Sequence, residues 1–276
     1  MDITSLTDQD RIDLLALAID SVEQVCSTLS GYEWDAPTDC PGWSVKDNLS
    51  HLASFEATAV GRPRADQSID VSRYPYVQND FHAINEREVE VRRPLPGEQI
   101  LEEFREVTRL RLAQLPSIDQ SADIPESATP LGFSMPARDF LLIRLSDLFY
   151  HDQDIRRAVG KPGGLDGRVA RTVFERMVQL ALPRVVGKAA QAPEGSSVAF
   201  HVEGGRSFAI AVRDGRGAVV GAPRAPTVTF TSDLEAFLCL MGGRWTPERA
   251  TGEGRLKVEG DDELAHRVLA NLTVVP

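Results

Sequence analysis

A carboxylate and an imidazole lie four residues apart in this sequence, as Asp147 and His151. On an α-helix, positions i and i+4 lie on one face, and their side chains point towards the same place. A third polar side chain, His51, follows a sharp Pro-Gly turn signal by about the length of a short helix. If the two helices pack together, His51, Asp147 and His151 converge as three ligands. Three protein ligands with an open position are typical of a catalytic metal site.

Each of these residues also has a simpler interpretation. Asp147 and His151 could form an exposed ion pair, which contributes only about 0.3–0.5 kcal/mol and has no function. The surrounding helix is very apolar, however, so burial of the pair is expected, and a buried charge needs a partner such as a metal. Taken alone, His51 is more often a core histidine with satisfied hydrogen bonds than a ligand. The spacing leaves both interpretations open.

Two further motifs bear on this chemistry. Asp154 comes seven residues after Asp147, so it shares that helix face and could orient a ligand imidazole, although it could equally pair with a neighbouring arginine. Downstream, Gly242-Gly243-Arg244 combines glycines, which let the backbone approach a ligand closely, with an arginine, which binds carboxylates through two parallel hydrogen bonds. From the residues alone, the end of a helix followed by a surface arginine explains this motif better.

Helices must position the three candidate ligands. Ser44 and Asp47 have the spacing of a capping box, which predicts a helix that begins there and carries His51 two turns in. Apolar periodicity and capping signals also predict helices over residues 7–30, 79–93, 97–114, 134–159 and 166–187. The helix over 134–159 carries both Asp147 and His151.

The pattern changes after residue 195. Alternating apolar residues over 196–202 and 207–212, separated by a Gly-Gly turn, predict a hairpin. Further strands are expected over 217–221, 226–231 and 255–259, with helices after Ser232 and Asp261. The sequence therefore predicts an α plus α+β protein, with an all-helical domain over 1–190 and a small α+β domain over 191–276.

Composition limits the class of protein. A chain of 276 residues is long enough for two domains, and its net charge of −11 gives no general attraction to nucleic acid or to an anionic membrane. No apolar stretch approaches the ~20 residues that span a bilayer. Three cysteines without a C-x-x-C pair argue against a disulfide framework, and the first residues lack a secretory pattern, so we expect a cytoplasmic protein. A monomer and a homodimer are both compatible with the sequence.

The motifs around the second predicted helix resemble the N-terminal helical domain of the mycothiol-dependent maleylpyruvate isomerases, which belongs to the wider DinB-like group of metal-binding four-helix bundles. Those motifs are Trp34, Pro37-Thr38, Cys40-Pro41-Gly42-Trp43 and His51-Leu52. The segment 147–157 is similar to the second ligand helix of that family, in which an acidic residue, a histidine four later and an aspartate three after that recur.

The C-terminal part looks like the α+β domain that accompanies this bundle and is related to sterol-carrier folds. The segments that carry this likeness are Gly242-Gly243-Arg244 and Val258-Glu259-Gly260-Asp261. The resemblance therefore covers nearly the whole chain.

The resemblance implies a divalent metal, usually zinc, held by His51, Asp147 and His151, with mycothiol, a low-molecular-weight thiol, as cosubstrate. It also implies that Arg244 reaches into the active-site cleft as a catalytic and cofactor-binding residue. The family's acidic ligand is glutamate, whereas Asp147 is one methylene shorter. The Arg92-Arg93 pair indicates a substrate other than maleylpyruvate.

The implied activity is that of a mycothiol-dependent S-transferase or isomerase, in which a metal-bound thiolate attacks an electrophilic small molecule. In S-transfer the thiol stays attached, whereas in cis–trans isomerisation it adds to a double bond, the bond rotates and the thiol leaves. Two other functions remain open: a metal-dependent hydrolase that uses bound water, and a non-catalytic protein that binds a small molecule or lipid in its sterol-carrier-like domain.

Overall fold

The chain forms two compact units in the computed structural model, which describes residues 2–124 and 133–275. The helical unit spans Leu6–Gly164, and the sheet unit runs from Leu165 onward and includes the short segment up to Ser5. The predicted order, helices first and a small sheet-containing domain second, is confirmed. The sequence predicts a division at 190/191, whereas the units divide at 164/165. The reason is that the helical segment after residue 167 packs on the sheet that follows it.

Five helices make up most of the described helical unit. They are α1 (Asp8–Cys26), α2 (Val45–Ala59), α3 (Asp80–Glu90), α4 (Gly97–Gln114) and α5 (Ala137–Ala158). Helices α1, α2, α4 and α5 pack as the predicted four-helix bundle, and α3 packs against α2. Fully buried apolar side chains such as Leu49, Leu52, Phe104 and Leu148 fill its core. A two-residue ladder, β1 (Asp123–Ile124) with β2 (Met135–Pro136), precedes α5.

The start of α2 is fixed by the predicted capping box. The Asp47 backbone N–H donates to Ser44 Oγ at 3.2 Å, and the Ser44 N–H donates to the Asp47 carboxylate at 3.0 Å. These two bonds satisfy backbone donors that the first turn of a helix leaves unpaired. His51 therefore lies in the second turn of α2, as the sequence predicts.

A tight turn leads into α2 and depends on Gly42. The Trp43 backbone N–H donates to the Cys40 carbonyl at 3.1 Å, and Gly42 has φ of +78°, which L side chains rarely adopt. A Cβ atom at Gly42 would also overlap the ring of Tyr76. Glycine at this position thus allows both the turn and the close packing of the tyrosine ring.

The sheet unit begins with helices. Helix α6 (Arg168–Arg176) continues through a π-helical turn into the short α7 (Leu182–Arg184) and a second π-helical turn (Val185–Ala189). This helical segment packs against the fifth strand, where Gly217 lies against the Pro183 backbone. The predicted helix over 166–187 is thus present, with irregular turns that periodicity alone does not reveal.

A five-stranded sheet forms the rest of the core of this unit. Its strands are β3 (Ser197–Glu203), β4 (Ser207–Arg213), β5 (Arg216–Val220), β6 (Val228–Asp233) and β7 (Leu256–Gly260), in the order β5-β4-β3-β6-β7. The predicted β3–β4 hairpin is confirmed, and β3 pairs in parallel with β6. Helices α8 (Leu234–Met241), α9 (Pro247–Gly252) and α10 (Asp262–Leu269) complete the unit. Five phenylalanine rings, from Phe174, Phe200, Phe208, Phe230 and Phe237, pack together in its core.

Two further features concern the cysteines and the length of the helices. Cys26, Cys40 and Cys239 form no disulfide, and Cys26 and Cys239 are buried. Across residues 2–124 and 133–275, none of the helices combines the length and the apolar character needed to cross a bilayer.

Replacement of Gly42 by alanine tests the turn. We expect Gly42→Ala to lower the free energy of unfolding by roughly 1–3 kcal/mol, because it combines a strained backbone with overlap of the Tyr76 ring. Gly61→Ala is the matched control: Gly61 has φ of +88°, but a Cβ there meets nothing within 4 Å among the described residues. The control should lose only about 1 kcal/mol. Urea unfolding measures both, and equal losses would contradict the role assigned to Tyr76.

Candidate metal site

The packing of α2 against α5 brings the three predicted side chains together. The His51 Nε2 atom lies 3.3 Å from Oδ2 and 3.4 Å from Oδ1 of Asp147. The His151 Nε2 atom lies 3.4 Å from the same Oδ1, and the two imidazole ring centroids are 4.9 Å apart. All three donor atoms lie within 4.8 Å of one another. These three residues are called the candidate site below.

The separations fit a metal better than they fit hydrogen bonds. Good N–H···O hydrogen bonds measure about 2.7–3.2 Å, which is shorter than the three separations. Two ligands held about 2.0–2.1 Å from a zinc ion at a tetrahedral angle lie about 3.3–3.4 Å apart. One carboxylate oxygen at this distance from both imidazole nitrogens is therefore spaced as a ligand of a zinc-sized cation. Two imidazoles and one carboxylate are also a donor set that zinc commonly takes.

Burial and nearby charges keep His51 and Asp147 in protonation states that can bind a cation. His51 and His151 are only 4% and 5% exposed. Burial lowers the pKa of the His51 imidazole below its ordinary value, against the attraction of Asp147. Burial would raise the pKa of the Asp147 carboxyl, but the charges of His51 and Arg144 outweigh it and hold that pKa well below its usual range. At neutral pH the site therefore offers a carboxylate and a neutral His51, the forms that bind a metal.

Asn48 fixes the orientation of His151. Its Oδ1 atom lies 2.6 Å from His151 Nδ1, and its Nδ2 donates to Thr38 Oγ1 at 3.1 Å and to the Ser44 carbonyl at 2.8 Å. Because the amide nitrogen donates to both of these acceptors, Oδ1 is the acceptor for His151 Nδ1–H. That tautomer leaves the lone pair of Nε2 directed at the candidate site.

Asp154 lies on the same side of His151, as its spacing predicts. Its Oδ2 is 3.5 Å from His151 Nδ1, and its Oδ1 accepts a hydrogen bond from Arg157 at 2.5 Å. Asp154 is thus paired with an arginine, as one of the two alternatives predicts, and it lies beside the imidazole whose Nδ1–H is accepted by Asn48. By contrast, His51 Nδ1 is buried without a hydrogen-bond partner in the described part of the chain.

A second cluster shares His151 with the candidate site. Cys40, His151 and Asp154 also place one donor atom each within 4.8 Å of one another. In this second cluster the Asp154 carboxylate is already paired with Arg157. The nearby His151 Nδ1–H already donates to Asn48 Oδ1. The candidate site therefore remains the better metal site of the two.

The Trp43 ring packs against both imidazoles. The sequence does not reveal this contact. Its ring centroid lies 5.2 Å from that of His51 and 5.7 Å from that of His151. The indole N–H donates to Glu86 at 2.8 Å, and Glu86 in turn pairs with Arg93 at 2.6 Å. A tryptophan so placed excludes water from one side of the imidazoles.

The arginine pair that the sequence associates with substrate has partners within the helical unit. Arg92 pairs with Glu88 at 3.1 Å and with Glu103 at 2.7 Å. Arg93 pairs with three carboxylates, including that of Asp47 at 3.2 Å. These contacts connect α3, α4 and the start of α2, so a structural role accounts for both side chains.

Arg244 lies in the sheet unit, directly after α8. Its backbone N–H donates to the Cys239 carbonyl and its NH1 donates to the Gly242 carbonyl, each at 2.8 Å, while Gly243 has φ of +66°. This is a glycine-based helix end, as the simpler interpretation of the motif predicts. The role of Arg244 toward a substrate is a proposal, which is taken up below.

Two family models match the chain in order. The mycothiol maleylpyruvate isomerase N-terminal domain matches residues 15–156, which include the whole candidate site, and the MDMPI C-terminal domain matches residues 173–267. None of the curated proteins matches the chain significantly.

Solved structures give the same architecture. The crystal structure of the mycothiol-dependent maleylpyruvate isomerase matches with a TM-score of 0.56 at 16% identity, over 94% of this chain and 95% of that one. A histidine-to-alanine mutant of that enzyme gives a TM-score of 0.55 at 15% identity over the same shares. Sterol carrier protein domain 2 of Helicoverpa armigera, at 22% identity, covers 40% of this chain and 90% of its own, with a TM-score of 0.29. At these identities the first two matches establish a shared fold.

Removal of the Asn48 amide tests the orientation of His151. We expect Asn48→Ala to weaken zinc binding about 10–100-fold, because His151 loses the acceptor that fixes its tautomer. Ser50→Ala is the control, since it removes a buried hydroxyl from the same helix that bonds only the Lys46 carbonyl among the described residues. Competition with a chromophoric chelator measures both dissociation constants. Equal zinc affinity in Asn48→Ala and wild type would contradict the assignment.

Proposed function

The chain belongs to the mycothiol maleylpyruvate isomerase family, and from this premise we propose that it is a divalent-metal enzyme that uses mycothiol as its thiol substrate. The reaction is S-transfer to an electrophilic small molecule or cis–trans isomerisation of the maleylpyruvate type. One observation carries the proposal: His51, Asp147 and His151 present three donor atoms at the spacing of metal ligands.

His51, Asp147 and His151 would hold the cation, most simply zinc. When bound, a divalent cation lowers the pKa of a coordinating thiol, so that the thiol is deprotonated at neutral pH without a protein base. The protein's own part is to keep each imidazole in a form or an orientation that can bind a metal. Asn48 does this for His151 through Nδ1, and burial does it for His51 by lowering its pKa.

The surroundings of the candidate site limit the access of solvent. Trp43 covers one side of both imidazoles with an apolar ring, which removes one approach for solvent. S-transfer and isomerisation both begin with the attack of a thiolate on an electrophilic carbon. They differ only in whether the new carbon–sulfur bond persists. Because the first step is the same, both reactions need these residues in the same role.

Arg244 is the proposed partner of the electrophile. Its planar guanidinium suits a carboxylate through two parallel hydrogen bonds, and substrates such as maleylpyruvate carry carboxylates. The glycine-based turn that contains Arg244 fixes its backbone. A fixed backbone limits the number of positions from which this side chain can reach a ligand.

Metal content and thiol dependence together test the proposal. We expect one zinc per wild-type chain, and His151→Ala should bind none, because it removes one of three ligands. Turnover of a chlorobimane or of maleylpyruvate by the wild-type protein should require both zinc and mycothiol. Hydrolytic activity with zinc but without thiol would support the hydrolase instead. A protein that binds lipid and no metal would support the non-catalytic alternative.

Conservative replacement tests Arg244. We expect Arg244→Lys to raise KM for a carboxylate-bearing electrophile about tenfold or more, because lysine cannot form two parallel hydrogen bonds. Zinc content and turnover of the uncharged chlorobimane should stay at the wild-type level. Steady-state kinetics with both electrophiles measure the difference, and unchanged kinetics with the carboxylate would remove Arg244 from the substrate site.

A further inference from the structure

The two oxygens of Asp147 face different groups. Oδ1 lies 3.4 Å from the Nε2 atoms of both His51 and His151. Oδ2 lies 3.3 Å from His51 Nε2 and accepts a hydrogen bond from Nη1 of Arg144, one turn earlier on α5. Oδ1 is thus the oxygen that lies near both imidazoles, whereas Oδ2 lies near His51 alone and is held by an arginine.

Arg144 is itself fixed by α2. Its Nε donates to Glu56 Oε1 at 2.7 Å, and its NH2 donates to the Leu52 carbonyl at 3.2 Å. Its guanidinium carbon lies 4.1 Å from the ring centroid of Phe55. Arg144 and Glu56 are only 3% and 2% exposed. A buried guanidinium with all three nitrogens engaged and a ring against its face has little freedom to turn.

We propose that Arg144 is a positioning residue that makes Asp147 a ligand through Oδ1 alone. This inference rests on the proposed metal-dependent function. By engaging Oδ2, Arg144 stops the carboxylate from rotating to offer both oxygens to the cation. A ligand that uses one oxygen leaves a coordination position that a two-oxygen ligand would occupy. That position is then available to a thiol.

The charge of Arg144 has a second effect. A guanidinium on Oδ2 draws electron density away from the carboxylate and makes Oδ1 a weaker donor. A cation held by a weaker donor keeps more of its positive charge, which favours loss of the proton from a bound thiol. The anionic Glu56 compensates the charge of Arg144, so the pair can remain buried.

The test uses two variants of Arg144. Arg144→Lys keeps the charge but loses the planar guanidinium, whereas the double variant Glu56→Gln with Arg144→Met removes both charges of the buried pair, although Arg111 then loses the carboxylate 3.6 Å away. The matched control is Glu103→Gln with Arg92→Met, an ion pair of the same bundle away from the candidate site. Circular dichroism and thermal unfolding confirm that each variant is folded.

Two measurements on the folded proteins decide the outcome. Zinc affinity, from chelator competition, should rise about tenfold in both Arg144 variants, because Asp147 can then offer a second oxygen, and should stay unchanged in the control. The visible spectrum of the Co(II)-substituted protein should lose intensity in the Arg144 variants, because a second carboxylate oxygen raises the coordination number above four. Wild-type spectra in both Arg144 variants would overturn the inference, whatever their zinc affinity. Failure of the wild-type protein to bind zinc or Co(II) would instead overturn the proposed function.

Discussion

The architecture of the helical unit depends on a seam between α2 and α5 that is polar and buried at once. Apolar residues make up most of the bundle core, but this seam holds a cluster of polar and charged residues: the buried Asn48, His51, Glu56, Arg144, His151 and Asp154, and the partly buried Asp147. Polar groups withdrawn from water must find partners, because each unpaired one costs free energy. A shift of one helix by a single turn, about 5.4 Å, would separate Glu56 from Arg144 and His51 from Asp147 together. The ion pair and the candidate site therefore fix the same helix register.

The segment before α2 supports this seam from one side. Thr38 accepts from Asn48, so the amide that orients His151 is tied to the loop. Trp43, at the end of the tight turn, contacts both imidazoles and reaches Glu86 on α3. The glycine that permits this turn also makes room for Tyr76, which bonds the same glutamate at 3.2 Å. A short turn, whose conformation depends on its own local sequence, is thereby connected to the imidazoles of the candidate site.

Local sequence rules predict the elements and the residues on one helix face well. The capping box at Ser44 and the four-residue spacing of Asp147 and His151 depend only on helix geometry, and both are present as predicted. The roles of Asn48 and Arg144 depend instead on which turn of α2 faces which turn of α5. Those contacts join residues about 90–100 positions apart, and no periodicity within either helix encodes that register. Asn48 and Arg144 are polar residues in helices whose core faces are otherwise apolar. That contrast is the signal in the sequence that could have identified them.

The same limit applies to the division of the chain and to the sheet. Periodicity identifies the segment over 166–187 as helical but does not say which neighbour it packs against. In the structure it packs on β5, so it belongs to the sheet unit. The parallel pairing of β3 with β6 likewise joins strands separated by a hairpin and a loop, whereas the β3–β4 hairpin is specified by its own turn.

Charge balance explains how an arginine can lie beside a proposed metal ligand. Glu56, Asp147 and Asp154 contribute three negative charges, and their partners Arg144, Arg111 and Arg157 contribute three positive ones, with Arg111 3.6 Å from Glu56. Because burial lowers the pKa of His51 and so favours its neutral form at pH 7, these six charges cancel without a cation. A divalent cation would then add two positive charges that the seam does not compensate. Coulomb attraction in this buried setting favours a negatively charged thiolate over a neutral ligand at the cation. Arg144 thus helps to balance the charges of the seam without a metal, and the proposed cation would then favour an anionic ligand.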